Sequence, residues 1–140
     1  MQTTTPSTIL ALDVGERRVG VARASTMARL ASPLVTLERG ADTLKAITEI
    51  VQTESVSRIV VGLPRGLQGQ STPQTAAVAA FGKELETLGL PLHWQDEALT
   101  SRKAEAELES RGKPYNKGDI DALSAVYILE DFLRDHPEDL

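Results

Sequence analysis

Three carboxylates stand where acids can do chemistry: Asp13, Glu97 and Asp121. Asp13 closes Ile9-Leu10-Ala11-Leu12, an apolar run suited to a central strand buried on both faces. Glu97 follows a fifth expected strand, Leu92-His93-Trp94-Gln95, and Asp96. Asp121 lies in the first turn of a final apolar helix, in register with Ala125, Ile128 and Phe132. If the strands ending near Asp13 and Glu97 are parallel neighbours, both acids leave the sheet at its carboxyl edge, where open α/β sheets bind ligands. Asp121 then crowns a buried stripe facing the same edge. Carboxylates gathered without His or Cys repel one another unless a divalent cation neutralises them, and oxygen-only ligation suits Mg²⁺ or Mn²⁺. Two such ions ~4 Å apart activate water and stabilise a leaving oxygen in phosphodiester cleavage.

Each group also has a plainer reading. Asp13 suits an Asx turn, Asp96 a solvated turn and Asp119 a helix N-cap. Glu97 and Asp121 are ambiguous when taken singly. Arg17, Arg18 and Arg65 suit a surface. His93 reads as structural and Trp94 as core. Gly15 to Gly20 lacks the Lys-Ser/Thr of a phosphate loop and the spacing of a dinucleotide fingerprint.

Several elements must position these residues. Residues 1–7 carry no apolar pattern and are expected to be a disordered tail, as are 136–140. Ile9–Leu12 and Val19–Ala22 form a hairpin, with Gly15 at the reversal. Leu30–Leu37 is a third strand, and Pro33 places it at an edge. Asp42 caps a helix to about Glu54 whose apolar face is Leu44, Ile47, Ile50 and Val51. Arg58–Pro64 is a buried parallel strand, followed by a polar loop, Arg65–Ser71. Thr72-Pro73 starts a helix that Gly89 ends. After the fifth strand, Thr100 or Ser101 caps a helix ending at Gly112. Arg111–Gly118 is a loop, and Asp119 opens the last helix. The order β-β-β-α-β-α-β-α-α predicts a mixed sheet with helices on its faces.

Composition narrows the classes. The 140 residues, 41% hydrophobic and 25% charged, suit one globular domain. No apolar run reaches membrane-spanning length, and the first residues lack the regions of a signal peptide. The absence of cysteine excludes disulfides and thiolate chemistry and fits a reducing compartment, so a cytoplasmic location is expected. The net charge of −5 argues weakly against nucleic acid, yet RGKPYNKG (111–118) carries three cations and no acid. From this loop Arg111, Lys113 and Lys117 are candidate phosphate contacts.

The motifs Asp13-Val14-Gly15, Arg18-Val19-Gly20-Val21-Ala22, Val61-Gly62-Leu63-Pro64, Asp96-Glu97-Ala98-Leu99-Thr100 and Asn116-Lys117-Gly118-Asp119-Ile120-Asp121 follow one another in order. Together they resemble the YqgF-type family of pre-16S rRNA nuclease and Holliday-junction-resolvase-like proteins, from about Ile9 to Leu133. The resemblance implies a ribonuclease-H-like fold with a five-stranded mixed sheet, and a metal-dependent nuclease using Mg²⁺ or Mn²⁺. It carries the family's acids onto Asp13, Glu97 and Asp121, and its basic position onto Arg18. Arg65 joins the candidate nucleic-acid contacts. The chain departs from the family at Ala98, where an arginine is usual, and at Gly66, where an asparagine is usual. Both departures touch substrate grip rather than the acid set.

The expected activity is endonucleolytic cleavage of structured RNA, at the 5′ end of a ribosomal RNA precursor. Branched-DNA resolution is the alternative within the same chemistry, and the fold does not choose between them. A non-catalytic RNA-binding module in ribosome assembly is a third reading. An actin- or sugar-kinase-type ATP site needs two such domains, and this chain offers one. A homodimer is an admissible assembly.

Overall fold

The computed structural model describes residues 6–64, 73–97 and 100–137, apart from the side chains of Pro64, Glu97, Thr100 and Ser101. Its elements are β1 (Thr8–Val14), β2 (Arg18–Ser25), β3 (Ser32–Glu38), α1 (Thr43–Thr53), β4 (Val56–Pro64), α2 (Pro73–Glu86), β5 (Leu92–Glu97), α3 (Thr100–Ser110) and α4 (Lys117–Asp135). The strands form one five-stranded sheet in the order β3-β2-β1-β4-β5. β1 runs antiparallel to β2 and parallel to β4, β4 runs parallel to β5, and β2 and β3 are antiparallel. This is the predicted mixed sheet of a ribonuclease-H-like fold, and Pro33 does lie on an edge strand.

Side-chain alternation divides the sheet into two cores. Leu10, Leu12, Val19, Val21, Ile59 and Val61 pack against α1 and α2 through Ile47, Val78, Phe81 and Leu85. Ile9, Ala11, Ala22, Ala24 and Val60 pack against α3 and α4 through Ala104, Leu108, Ala125, Ile128, Leu129 and Phe132. The first face is built from large branched side chains and the second is rich in alanine. α4 packs against all five strands, and Ala125, Ile128 and Phe132 on its inner stripe are fully buried.

Local structure departs from expectation in several places. The last helix opens at Lys117, and its N-cap is Asn116 rather than Asp119. Asn116 Oδ1 accepts from the Asp119 amide at 2.9 Å, and Asp119 Oδ2 accepts from the Asn116 amide at 3.0 Å. Asp119 is therefore the N3 member of a reciprocal capping box. Asp42 stands at the start of α1 but makes no side-chain cap; the Thr43 hydroxyl accepts from the Gly40 amide instead, at 2.7 Å. Gly15 does not need a left-handed backbone: its amide donates to Arg18 O at 2.9 Å, and a Cβ would stand 3.1 Å from that oxygen. Trp94, expected in the core, is 42% exposed on edge strand β5, where its ring lies over Gly82. Ser7 and His136, expected in the tails, are engaged. The Ser7 amide donates to Thr26 Oγ1 and the His136 ring stacks on Phe132.

Candidate active site

The site starts from Gly20. It is the cross-strand partner of Asp13. It also belongs to the alternation that turns Arg18, Ala22 and Ala24 toward α4, as Asp13 follows Ile9 and Ala11. A Cβ on Gly20 would lie 2.0 Å from the Asp121 carbonyl oxygen and 2.9 Å from the Ala122 amide nitrogen. No larger residue allows the backbone of α4 to touch the sheet here. The missing side chain thus seats Asp121 on the residue paired with Asp13. Thr36, the partner of Gly20 on β3, fastens the same turn by donating to Gly118 O at 2.6 Å.

Arg18 completes this corner. Its Nε donates to Asp121 Oδ2 at 2.5 Å, with the two side chains 33% and 20% exposed. The family's basic position, carried onto Arg18 by the resemblance, is thus paired with Asp121. Arg17, its neighbour, is exposed. The turn holding both is clamped by Arg39, whose amide donates to Arg17 O and whose Nη1 donates to Gly15 O, both at 2.8 Å. Arg39 in turn lies over the Phe81 ring, 5.3 Å from its centroid.

Glu97 is placed by register. Leu12, Val61 and Trp94 share one level across β1, β4 and β5. Asp13 lies one residue beyond that level and Glu97, paired with Pro64, lies three beyond it. β5 is two strands from β1, roughly 10 Å at ordinary strand spacing. Glu97 therefore ends β5 at the edge where β1 ends.

A hollow of about 530 Å³ opens beside this corner, lined by Arg18, Glu105, Tyr115, Asn116, Lys117, Ile120 and Asp121. Lys117 thus shares a surface with Asp121 and Arg18. Arg111 and Lys113 do not; they line a neighbouring hollow, and Arg111 is paired with Glu107 at 2.7 Å. Arg65, Gly66 and Ala98 lie outside the described residues. Among the described residues no three of His, Cys, Asp and Glu form a metal-ligand cluster, and the Glu97 side chain is not among those described. The donor chemistry at this corner is oxygen only. The Asp121 carboxylate pairs with Arg18 through Oδ2.

Thr36 and Arg39 were not picked out from sequence, and Gly20 and Asn116 appeared there only within motifs, with no role assigned. For Asn116 the signal of its role was the Asn-x-x-Asp spacing of a capping box.

The RuvX family, described as "Holliday junction resolvase", matches residues 7–135. A protein of Chloroflexus aurantiacus named "Putative pre-16S rRNA nuclease" is 44% identical over 133 residues, covering 89% of this chain and 85% of its own length. One of Caldanaerobacter subterraneus with the same name is 40% identical, covering 89% and 94%. Among solved structures, Thermus thermophilus RuvC in complex with a Holliday junction substrate superposes with a TM-score of 0.59 at 13% identity, covering 94% of this chain and 96% of that one. At that identity the likeness concerns the fold.

Proposed function

Because the chain belongs to the RuvX family, we propose that it is a divalent-metal-dependent endonuclease acting on structured nucleic acid, the 5′ end of precursor 16S rRNA first among its substrates. The observation that carries this reading is the contact of Asp121 with Gly20, which joins two carboxylate-bearing elements at one sheet edge. Asp13, Asp121 and Glu97 are the residues that would hold Mg²⁺ or Mn²⁺, hard ions suited to carboxylate oxygens. When bound, such an ion supplies positive charge to the attacking water and to the leaving oxygen. The chain's own residues do the rest. Arg18 orients the Asp121 carboxylate and offers its remaining N–H groups to a phosphate. Lys117, lining the same hollow, adds charge along the strand's path. The reaction places the protein in the cytoplasm with ribosomal RNA precursors; among its described residues no helix is long and apolar enough to cross a membrane.

Branched DNA is the second reading, favoured by the family's description and the RuvC-like fold. A cleavage assay decides between them, with a folded 16S precursor and a four-way DNA junction incubated side by side, with and without Mn²⁺. Metal-dependent cutting of the RNA, lost in Asp13→Asn, is expected. Full activity of Asp13→Asn overturns the mechanism, and cutting of the junction alone reassigns the substrate.

A further inference from the structure

The segment between α3 and α4 separates two hollows, and Tyr115 lines both. One is the hollow of Arg18, Lys117 and Asp121. The other, about 340 Å³, is lined by Pro33, Leu108 and Leu123 together with Arg111 and Lys113. It joins apolar walls and an aromatic ring to cations, the combination that takes up a flat base and its phosphate. The charges present favour an anion. The one carboxylate lining it, Asp119, accepts from the Asn116 amide at 3.0 Å within the capping box. Arg111 is shared with Glu107, whereas Lys113 has no partner among the described residues. Partial burial, and then the carboxylates of Glu109 and Glu105, push the Tyr115 phenol up, so the ring stays neutral.

We propose that this second hollow binds one unpaired nucleotide next to the scissile bond, with its base on Tyr115 and its phosphate on Lys113. A base held in a duplex is already stacked on both faces and cannot enter. The subsite therefore selects substrates in which a single strand leaves a helix. The inference rests on the nuclease reading for the position of the scissile bond.

The test uses the full chain, in EDTA, and oligonucleotides with 2-aminopurine at the unpaired position beside a duplex, in RNA and DNA versions. Wild type and Tyr115→Phe should quench the fluorophore. Tyr115→Ala should not, and its affinity should fall about 5- to 100-fold. Lys113→Ala should flatten the salt dependence by about one unit of slope. A fully paired duplex of the same sequence should show no dependence on Tyr115. Equal quenching by wild type and Tyr115→Ala, an equal loss on the paired duplex, or no quenching at all overturns the subsite. Quenching with only one of the two sugars identifies the strand it takes. A parallel cleavage assay separates the two claims. Cutting that ignores Tyr115 leaves the nuclease and removes the subsite; Tyr115-dependent quenching without cutting under any metal leaves the subsite and removes the nuclease.

Discussion

The two faces of this sheet are built from the same strands and do opposite work. Toward α1 and α2 the strands present Leu10, Leu12, Val19 and Val21, side chains that keep helices at ordinary distance and bury apolar area. Toward α4 they present Ala11, Gly20, Ala22 and Ala24, with Asp13 and Arg18 in the same rows. There the helix backbone descends to the sheet and brings a carboxylate with it. Burial of a large side chain contributes about 1.5–3 kcal/mol; on the first face the strands supply most of those side chains, and on the second α4 supplies them through Ile128, Leu129 and Phe132. The second gives up side-chain volume for position. A site that must hold acids in fixed relation belongs on the face where backbone, not flexible side chain, makes the contact.

The contrast can be broken from the second face first. Asp13→Asn or Asp121→Asn should lower the cleavage rate at least ~1,000-fold, about 4 kcal/mol of transition-state stabilisation, with little change in melting temperature and weaker Mn²⁺ binding by titration. A folded, fully active Asp121→Asn protein would remove this face from the mechanism. Gly20→Ala should lift the first turn of α4. Cleavage should fall ~100-fold, as misplacement by about 1 Å commonly costs, and the denaturation midpoint should drop by an amount equivalent to ~1–3 kcal/mol. Its counterpart on the first face is Leu12→Ala. That change should cost ~2–5 kcal/mol of stability while the folded fraction cleaves at the wild-type rate. If Leu12→Ala loses specific activity as Gly20→Ala does, the division of labour between the faces is wrong.

Smaller changes sharpen the picture. Arg18→Ala should slow cleavage ~10-fold, about 1.4 kcal/mol, with a stability loss under ~1 kcal/mol for a pair this exposed. Arg17→Ala should do far less, because that side chain is exposed. A larger loss from Arg17 would show that the opposite row of β2 faces the substrate. Asn116→Ala should cost only ~1 kcal/mol in a denaturant titration, since it removes one cap while Thr36 still holds Gly118.

What was legible in the sequence follows the range of the interactions. Run composition marked β1, β2, β4 and β5, and the spacing of Asp121, Ala125, Ile128 and Phe132 marked the inner stripe of α4. Both are local patterns. Gly20 sits in Val-Gly-Val and reads there as one small residue in an apolar run; its function depends on a backbone about a hundred positions away. The Arg18–Asp121 pair is equally remote. Trp94 was misjudged because burial of an aromatic depends on whether its strand has a neighbour on both sides, and β5 has one. Gly15 was placed at the reversal from sequence, but its close approach to Arg18 O is a contact within the folded turn that the sequence does not display.

The strap that α4 lays across all five strands also orders events in time. Ser25, the last residue of β2, and Asp135, the last of α4, are 110 positions apart. At ~5–20 residues per second of synthesis, roughly 5–20 s separate the two. Until that interval ends the alanine-lined face lacks the complete α4. The strands can pair, but the corner that seats Asp121 on Gly20 cannot assemble until nearly all of the chain has been made. Under the proposed mechanism the chain cannot cut until its synthesis is nearly complete.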